Sequence, residues 1–250
     1  MIHTCAFYGS VPANTEKEID VIPDDVLTRT ANTRFMVPAD YARIASAVTY
    51  TDTNGPAPLV YTPSLEVRRL KKRIIPINAI NDDGKTVNYD RKPVTLVPTE
   101  EISVIVKNTS TSASRPCYVF LNLGTFEPVE AEDVIIVKAS GSTTLVANQW
   151  TSVKIVPEIQ LEAGSYQLLG FIPISANCIY ARVLITGQVA RPGYPGIKAS
   201  DDYDLKIEEF EERYPFQNCG VFPHTAIPEF QFLASSADSS EIVYMFLRKV

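Results

Sequence analysis

Few residues in this chain are equipped for chemistry. Of its 250 residues only two are histidines, His3 and His224, so a histidine-ligated metal site or a Ser-His-Asp relay has almost no material to draw on. His224 follows Cys219 by five residues in NCGVFPH, and a thiol activated by a folded-back imidazole is the one nucleophile this spacing offers. No Gly-x-Ser-x-Gly elbow is present; ASGSTTL, residues 139–145, lacks the second glycine and reads as a hairpin turn. The two glycines of AGSYQLLGF, residues 163–171, do not make a phosphate loop, because Phe171 stands where that loop needs lysine. Carboxylates pair at Asp24-Asp25, Asp82-Asp83, Glu100-Glu101 and Asp201-Asp202, yet nothing in their spacing selects an acid and a base across a cleft. A calcium loop over 201–212 fails, since the mid-loop glycine is missing and Leu205 replaces an oxygen ligand. The residues therefore predict no catalytic group, no metal and no cofactor.

Four cysteines, Cys5, Cys117, Cys178 and Cys219, lie far apart with no Cys-x-x-Cys pair. That spacing argues against a zinc ribbon and predicts small buried hydrophobes, kept reduced in a cytoplasm. The start, MIHTCAFYGSVPANTEKEID, lacks the basic and long apolar stretches of a signal peptide, so a cytoplasm is the expected place of synthesis. A net charge of −6 disfavours a general nucleic-acid surface. One run departs from that balance: in RRLKKR the cations Arg68, Arg69, Lys71, Lys72 and Arg73 crowd together. The complementary run is DDYDLKIEEFEER, with Asp201, Asp202, Glu208, Glu209, Glu211 and Glu212. The two are candidates for pairing between neighbouring subunits, slightly ahead of a solvated edge strand, and both stand ahead of nucleic acid.

The elements that must hold these residues read as strands. Eighteen prolines and eleven glycines punctuate short runs of Val, Ile, Tyr, Phe and Thr, which predicts an all-β chain of about sixteen strands. Alternation is clearest in EISVIVK (101–107), CYVFLNL (117–123), IYARVLIT (179–186) and EIVYMFL (241–247). Further strands are expected at 4–8, 34–37, 46–50, 59–61, 73–77, 94–97, 134–137, 143–146, 152–156 and 230–233. In 163–171, Tyr166, Leu168 and Ile172 fall on one face and Gln167, Leu169 and Phe171 on the other, with Gly164 in a turn and Gly170 at a bulge or close contact. Tyr203, Ile207, Phe210 and Tyr214 predict one short helix, stopped by Pro215, while 38–48 fits helix or strand. Residues 100–124 and 164–187 echo one another, as two similar β-units joined near Thr125–Asp133 would. With 45% hydrophobic residues and no apolar run near the roughly 18 that a spanning helix needs, neither disorder nor a helical membrane protein is indicated.

Taken in order, RFMVPADYARIASAV (34–48), LVYTPSLEVRR (59–69), IIPI (74–77), ASGSTTLVANQWTSVKI (139–155), LEAGSYQLLGF (161–171), ARVLITGQVARPG (181–193) and GVFPHTAIPEFQFLASSADSSEIVYMFL (220–247) resemble the jelly-roll coat proteins of small tailless icosahedral bacterial viruses. The resemblance covers well over half of the chain. It implies two tandem jelly-roll barrels, an amino-terminal one over 1–128 and a carboxy-terminal one over 129–250, with one or two short helices. It further implies a non-enzymatic shell protein that self-assembles as trimers or pseudo-hexameric capsomers. Its partners would be copies of itself and other virion proteins, with or without an internal membrane beneath, in a virion built in the host cytoplasm. The alternative is a β-sandwich carbohydrate-binding or adhesin module, for which Trp150 and twelve tyrosines would supply stacking surfaces. A hydrolase built on scattered acids is the third reading.

Overall fold

The computed structural model describes residues 1–51, 57–67, 85–89, 94–198 and 214–250. The chain is an all-β, jelly-roll-type protein that divides into two compact units, one of His3–Thr125 and one of Phe126–Val250 together with Met1–Ile2.

In the first unit the strands are β1 (Ile2–Val11), β2 (Glu16–Glu18), β3 (Asp20–Val21), β4 (Arg29–Ala31), β5 (Arg34–Met36), β6 (Arg43–Thr51), β7 (Ala57–Tyr61), β8 (Lys85–Asn88), β9 (Val94–Thr95), β10 (Glu101–Lys107) and β11 (Arg115–Gly124). A 3-10 turn, Ala39–Tyr41, and a five-residue helix α1, Pro63–Val67, are its helical pieces among the described residues. One sheet runs β3-β1-β11-β6-β8, with β9 also on β6. In the other, β10 takes β2 and β5 end to end along one edge and β7 along the other, and β4 extends β5. Alternation explains β10: Ile102, Val104 and Val106 are fully buried. Strand β11 is buried on both faces, and its one amide is satisfied across the sheet, Asn122 accepting from the Thr4 hydroxyl and donating to Ser46 Oγ at 2.8 Å.

The second unit contains β12 (Ile135–Gly141), β13 (Trp150–Lys154), β14 (Val156–Pro157), β15 (Ser165–Ser175), β16 (Cys178–Leu184), β17 (Gly193–Pro195), β18 (Ile197–Lys198), β19 (Gly220–Pro223), β20 (Glu229–Ala234) and β21 (Glu241–Lys249). Its sheets run β14-β12-β21-β15-β18, with β19 also on β15, and β13-β20-β16-β17. Counting β12, β13, β15, β16, β17, β19, β20 and β21 as strands one to eight gives 1-8-3-6 facing 2-7-4-5, the strand order of a jelly roll. Counted the same way, β1, β2, β6, β7, β8, β10 and β11 give 1-8-3-6 facing 2-7-4 in the first unit, the fifth strand having no counterpart among its described residues. Between the sheets of the second unit, Phe171 lies edge-on to Tyr194 and Phe230, with ring centroids 5.0 and 4.8 Å apart.

Several expectations change. Residues 143–146 form no strand, and 139–145 is no hairpin, because here the chain leaves β12 in one sheet and crosses to β13 in the facing one; Leu145 plugs the crossing and its N–H donates to Asp238 O. The ambiguous stretch at 38–48 resolves into the 3-10 turn followed by β6. In β15 the extra residue is Leu169: Leu168 and Gly170 face the consecutive Leu247 and Phe246, so alternation changes phase there. By this register Phe171, opposite Met245, falls in phase with Leu168, opposite Leu247, and Ile172, opposite Tyr244, falls out of phase, so the one-face grouping of Tyr166, Leu168 and Ile172 fails. The echo of 100–124 with 164–187 aligns strands seven and eight of one unit with three and four of the other, so it is not the trace of a repeat. The strand expected at 73–77 and the helix expected over 201–214 lie outside the described residues, Tyr214 excepted.

Candidate functional site

The residues named for chemistry are engaged elsewhere. Cys219 is fully buried, with Sγ 3.8 Å from the Tyr194 hydroxyl, and burial pushes its thiol up to about 12. His224 Nδ1 accepts from the Gly164 N–H at 3.2 Å, where Gly164 turns at φ +146°. The two therefore have different partners and form no nucleophile pair. All four cysteines are free and buried, and burial also holds the Cys117 and Cys178 thiols well above their usual range. Asp24 caps a turn by accepting from the Val26 N–H at 2.7 Å, and its other oxygen lies 3.3 Å from the buried ring of His3. Glu100 accepts from the Ser64 N–H, while Glu101 joins Glu18 around the Arg34 guanidinium at 3.2 and 2.9 Å. Burial raises Glu18, but the hydrogen bonds of Arg34, Thr33 and Ser103 outweigh it and hold the carboxyl below its usual range. The acids thus fasten strands β2, β5 and β10 to one another. Asp82 and Asp83, the cations Arg68, Arg69, Lys71, Lys72 and Arg73, and the acids Asp201, Asp202, Glu208, Glu209, Glu211 and Glu212 lie outside the described residues.

What the described surface offers instead is a pair of shallow depressions of mixed polar and apolar lining. At one end of the second unit the connections leaving β13, β16 and β19 converge on two adjoining depressions that share Ile227. The larger, about 470 Å³, is lined by Ile155, Ile185, Ile227 and Pro228 with Lys154, Arg191 and Glu229 among its polar residues; the smaller, about 300 Å³, by Pro157, Ile159, Leu161 and His224. Around them stand exposed aliphatic side chains: Val156 is 70% exposed, Ile159 55% and Val189 60%. Gly220, at φ +132° in a backbone conformation that other residues rarely adopt, lets β19 run against the side-chain ends of Gln188 and Ile185. No group of three or more His, Cys, Asp or Glu side chains that could hold a metal ion is gathered among the described residues.

No family model matches the chain, and no curated protein does. Among solved structures it is similar to the PBSX exported protein XepA, at 8% identity and TM-score 0.27, over 99% of this chain and 86% of that one. It is similar also to the STIV MCP, at 9% identity and TM-score 0.25, over 99% and 96% of the two chains. A third is the major capsid protein P2 from bacteriophage PM2, at 11% identity and TM-score 0.24, over 97% and 98%. TM-scores this low do not establish a common fold.

One face of the single tryptophan, the ring a sugar-binding module would stack on, is taken. The Arg182 guanidinium lies 4.2 Å over the Trp150 ring, and Arg182 itself is buried, donating to Gln231 Oε1 at 2.7 Å. The exposed Val156, Ile159 and Val189 had no signal in the sequence, since isolated aliphatics beside turns look the same whether they point in or out. Nor did the linked carboxylates Asp238 and Glu241: Asp238 accepts from the Ser175 hydroxyl at 2.6 Å and the Asn177 N–H at 3.1 Å, and Glu241 from the Thr143 N–H at 3.0 Å, so together they tie three connections at the opposite end of the barrel.

Proposed function

We propose that the chain is the coat subunit of a tailless icosahedral virus, whose task is to associate with copies of itself. The observation that carries this reading is the repetition of one jelly-roll strand order in two successive units of a single chain. Jelly rolls recur in viral capsids, lectins and cupins; the latter two work through a polar or metal-binding pocket, whereas a coat protein works through its outer surface. Here Glu18, Arg34 and Glu101 are spent on joining strands, and aliphatic side chains project from the end of the second barrel. Three copies, each contributing two barrels of like topology, would set six similar barrels in a ring, the pseudo-hexameric capsomer that the sequence resemblance implies. Such a subunit needs no cofactor, and its place is the virion, assembled with other virion proteins in the host cytoplasm.

Electron microscopy of the purified protein across concentration, salt and mild acid tests this. Closed shells, or flat lattices with six-fold packing, are expected. A protein that stays monomeric under all of these conditions refutes the reading.

A further inference from the structure

We infer that Glu241 is a proton-operated latch: with a proton on its carboxyl group it keeps the crossing from β12 to β13 shut over one end of the second barrel, and when that proton passes to water the crossing lifts. The latch belongs to the folded chain alone, so it stands or falls apart from the coat reading.

Glu241 opens β21 directly opposite Gly141, the last residue of β12, and is fully buried. Its Oε2 accepts from the Thr143 N–H at 3.0 Å, at the start of the crossing, while no donor of the described residues reaches Oε1. A buried carboxylate with one bare oxygen costs far more than the neutral acid in the same place. The surroundings offer no compensation. Val153 packs onto the bare Gly141 and brings no charge. The connection from β20 to β21 presents the like charge of Asp238, and β16 presents the Cys178 thiol. No cation of the described residues acts on either carboxyl group.

The two acids are thereby driven apart. Asp238 accepts from the Ser175 hydroxyl at 2.6 Å and from the N–H groups of Ser239 at 2.7 Å, Asn177 at 3.1 Å and Ser240. Burial works against its charge, but these donors outweigh burial and hold the carboxyl below its usual range, as a fixed anion. Beside it Glu241 moves the other way: burial above all, with the Asp238 charge adding, outweighs the N–H groups of Thr143 and of Glu241 itself and raises the acid above its ordinary 4.5. Burial first, and then the same two charges, also hold the Cys178 thiol well above its usual range, so it stays neutral. Neighbouring acids separated in this way leave one of them with a proton to release.

Release acts on the weakest piece in contact with the proton. The strands around Glu241 are laddered on both sides, β21 to β12 and β15, and β16 to β20 and β17. The crossing, residues 142–149, has no ladder. It is fastened by the Thr143 N–H on Glu241, by the Leu145 N–H on Asp238 O at 2.7 Å, and by the isolated bridge of Ala147 with Ala234, where the Asn148 N–H donates to Ala234 O at 2.9 Å. An ionised Oε1 draws water, and the crossing is the part that can move aside to admit it. Closure is therefore fully stabilised below 4.5 and is lost as pH rises through the folded value.

Amide hydrogen exchange on the full chain reads the latch, resolved by residue from about pH 4 to about pH 8 and expressed as protection relative to the unfolded chain at the same pH. Protection of the Leu145 and Asn148 amides is expected to fall by about threefold or more across this range. The fall should not depend on low urea, the mark of a local opening that exposes little surface. Glu241→Gln keeps the shape of the side chain and cannot ionise, so protection in that variant should stay level. Wild-type protection that stays level, a fall of equal size in the variant, or a loss that steepens with urea as the β15–β21 ladder amides do overturns the latch. Where Glu241→Gln does not fold, carbon NMR of the wild-type carboxyl groups decides: the Glu241 carboxyl titrates with the same midpoint as the loss of protection, and separate midpoints overturn the latch.

Discussion

Replacing Phe171 with alanine should destabilise the second unit by about 4 kcal/mol. The ring is fully buried between the two sheets, edge-on to Tyr194 and Phe230 at 5.0 and 4.8 Å. Truncation to a methyl group removes roughly 150 Å² of buried apolar surface, worth about 4 kcal/mol at ~25 cal/mol per Å². Two lost edge contacts add about 0.5–1.5 kcal/mol each, and a compact unfolded state takes back roughly 10–40% of the area term. The balance, about 3–6 kcal/mol, overlaps the range of about 3–5 kcal/mol that a rigid, unrelaxed gap produces. The assay is urea unfolding followed by the fluorescence of Trp150, which is the only tryptophan in the chain and lies in β13 of the same unit. A loss below about 1.5 kcal/mol would show that the sheets close over the gap and would refute the picture of a ring clamped between them.

Two further outcomes follow from buried groups. Burial, reinforced by the nearby Asp238 charge, raises the Glu241 carboxyl above its ordinary 4.5, so the folded chain holds that proton more tightly than the unfolded one; stability from this group is fully present below 4.5 and is lost as pH rises through the folded value. Glu241→Gln should therefore flatten the decline of melting temperature between about pH 4 and neutrality; an unchanged slope would place the dependence elsewhere. The four thiols should be silent to a colour-forming disulfide reagent in the native protein and all four should react in denaturant; a single fast-reacting native thiol contradicts their burial.

Strands with strict alternation were readable from the residues themselves. EISVIVK and EIVYMFL coincide with β10 and most of β21, because period-two patterning survives wherever a strand keeps one register. The paired runs gave no such view of topology: that β12 lies beside β21, more than a hundred residues later, is decided by which sheets can cover each other and leaves no local mark. The Leu169 bulge escaped for a related reason, since an inserted residue is visible only against its partner strand, and Gly170 drew the attention that belonged to its neighbour. Thr143–Val146 has strand-like residues but serves as a crossing, where hydrogen bonds from Thr143 and Leu145 to the Glu241 carboxylate and the Asp238 carbonyl replace a ladder. The charged runs were conspicuous in the sequence but lie outside the described residues, whereas the exposed Ile135 and Ile136 looked like any core strand. An edge becomes legible only once the neighbours have been counted.

The placing of β21 has a consequence for synthesis. It occupies the middle of its sheet, hydrogen-bonded to β12 on one side and β15 on the other, although it is made after both of them. While residues 241–249 are still inside the ribosome, both neighbours must wait as bare edges, exposed to every other nascent copy on the same message. The second unit thus passes its most adhesive moment just before β21 can slot between its two neighbours.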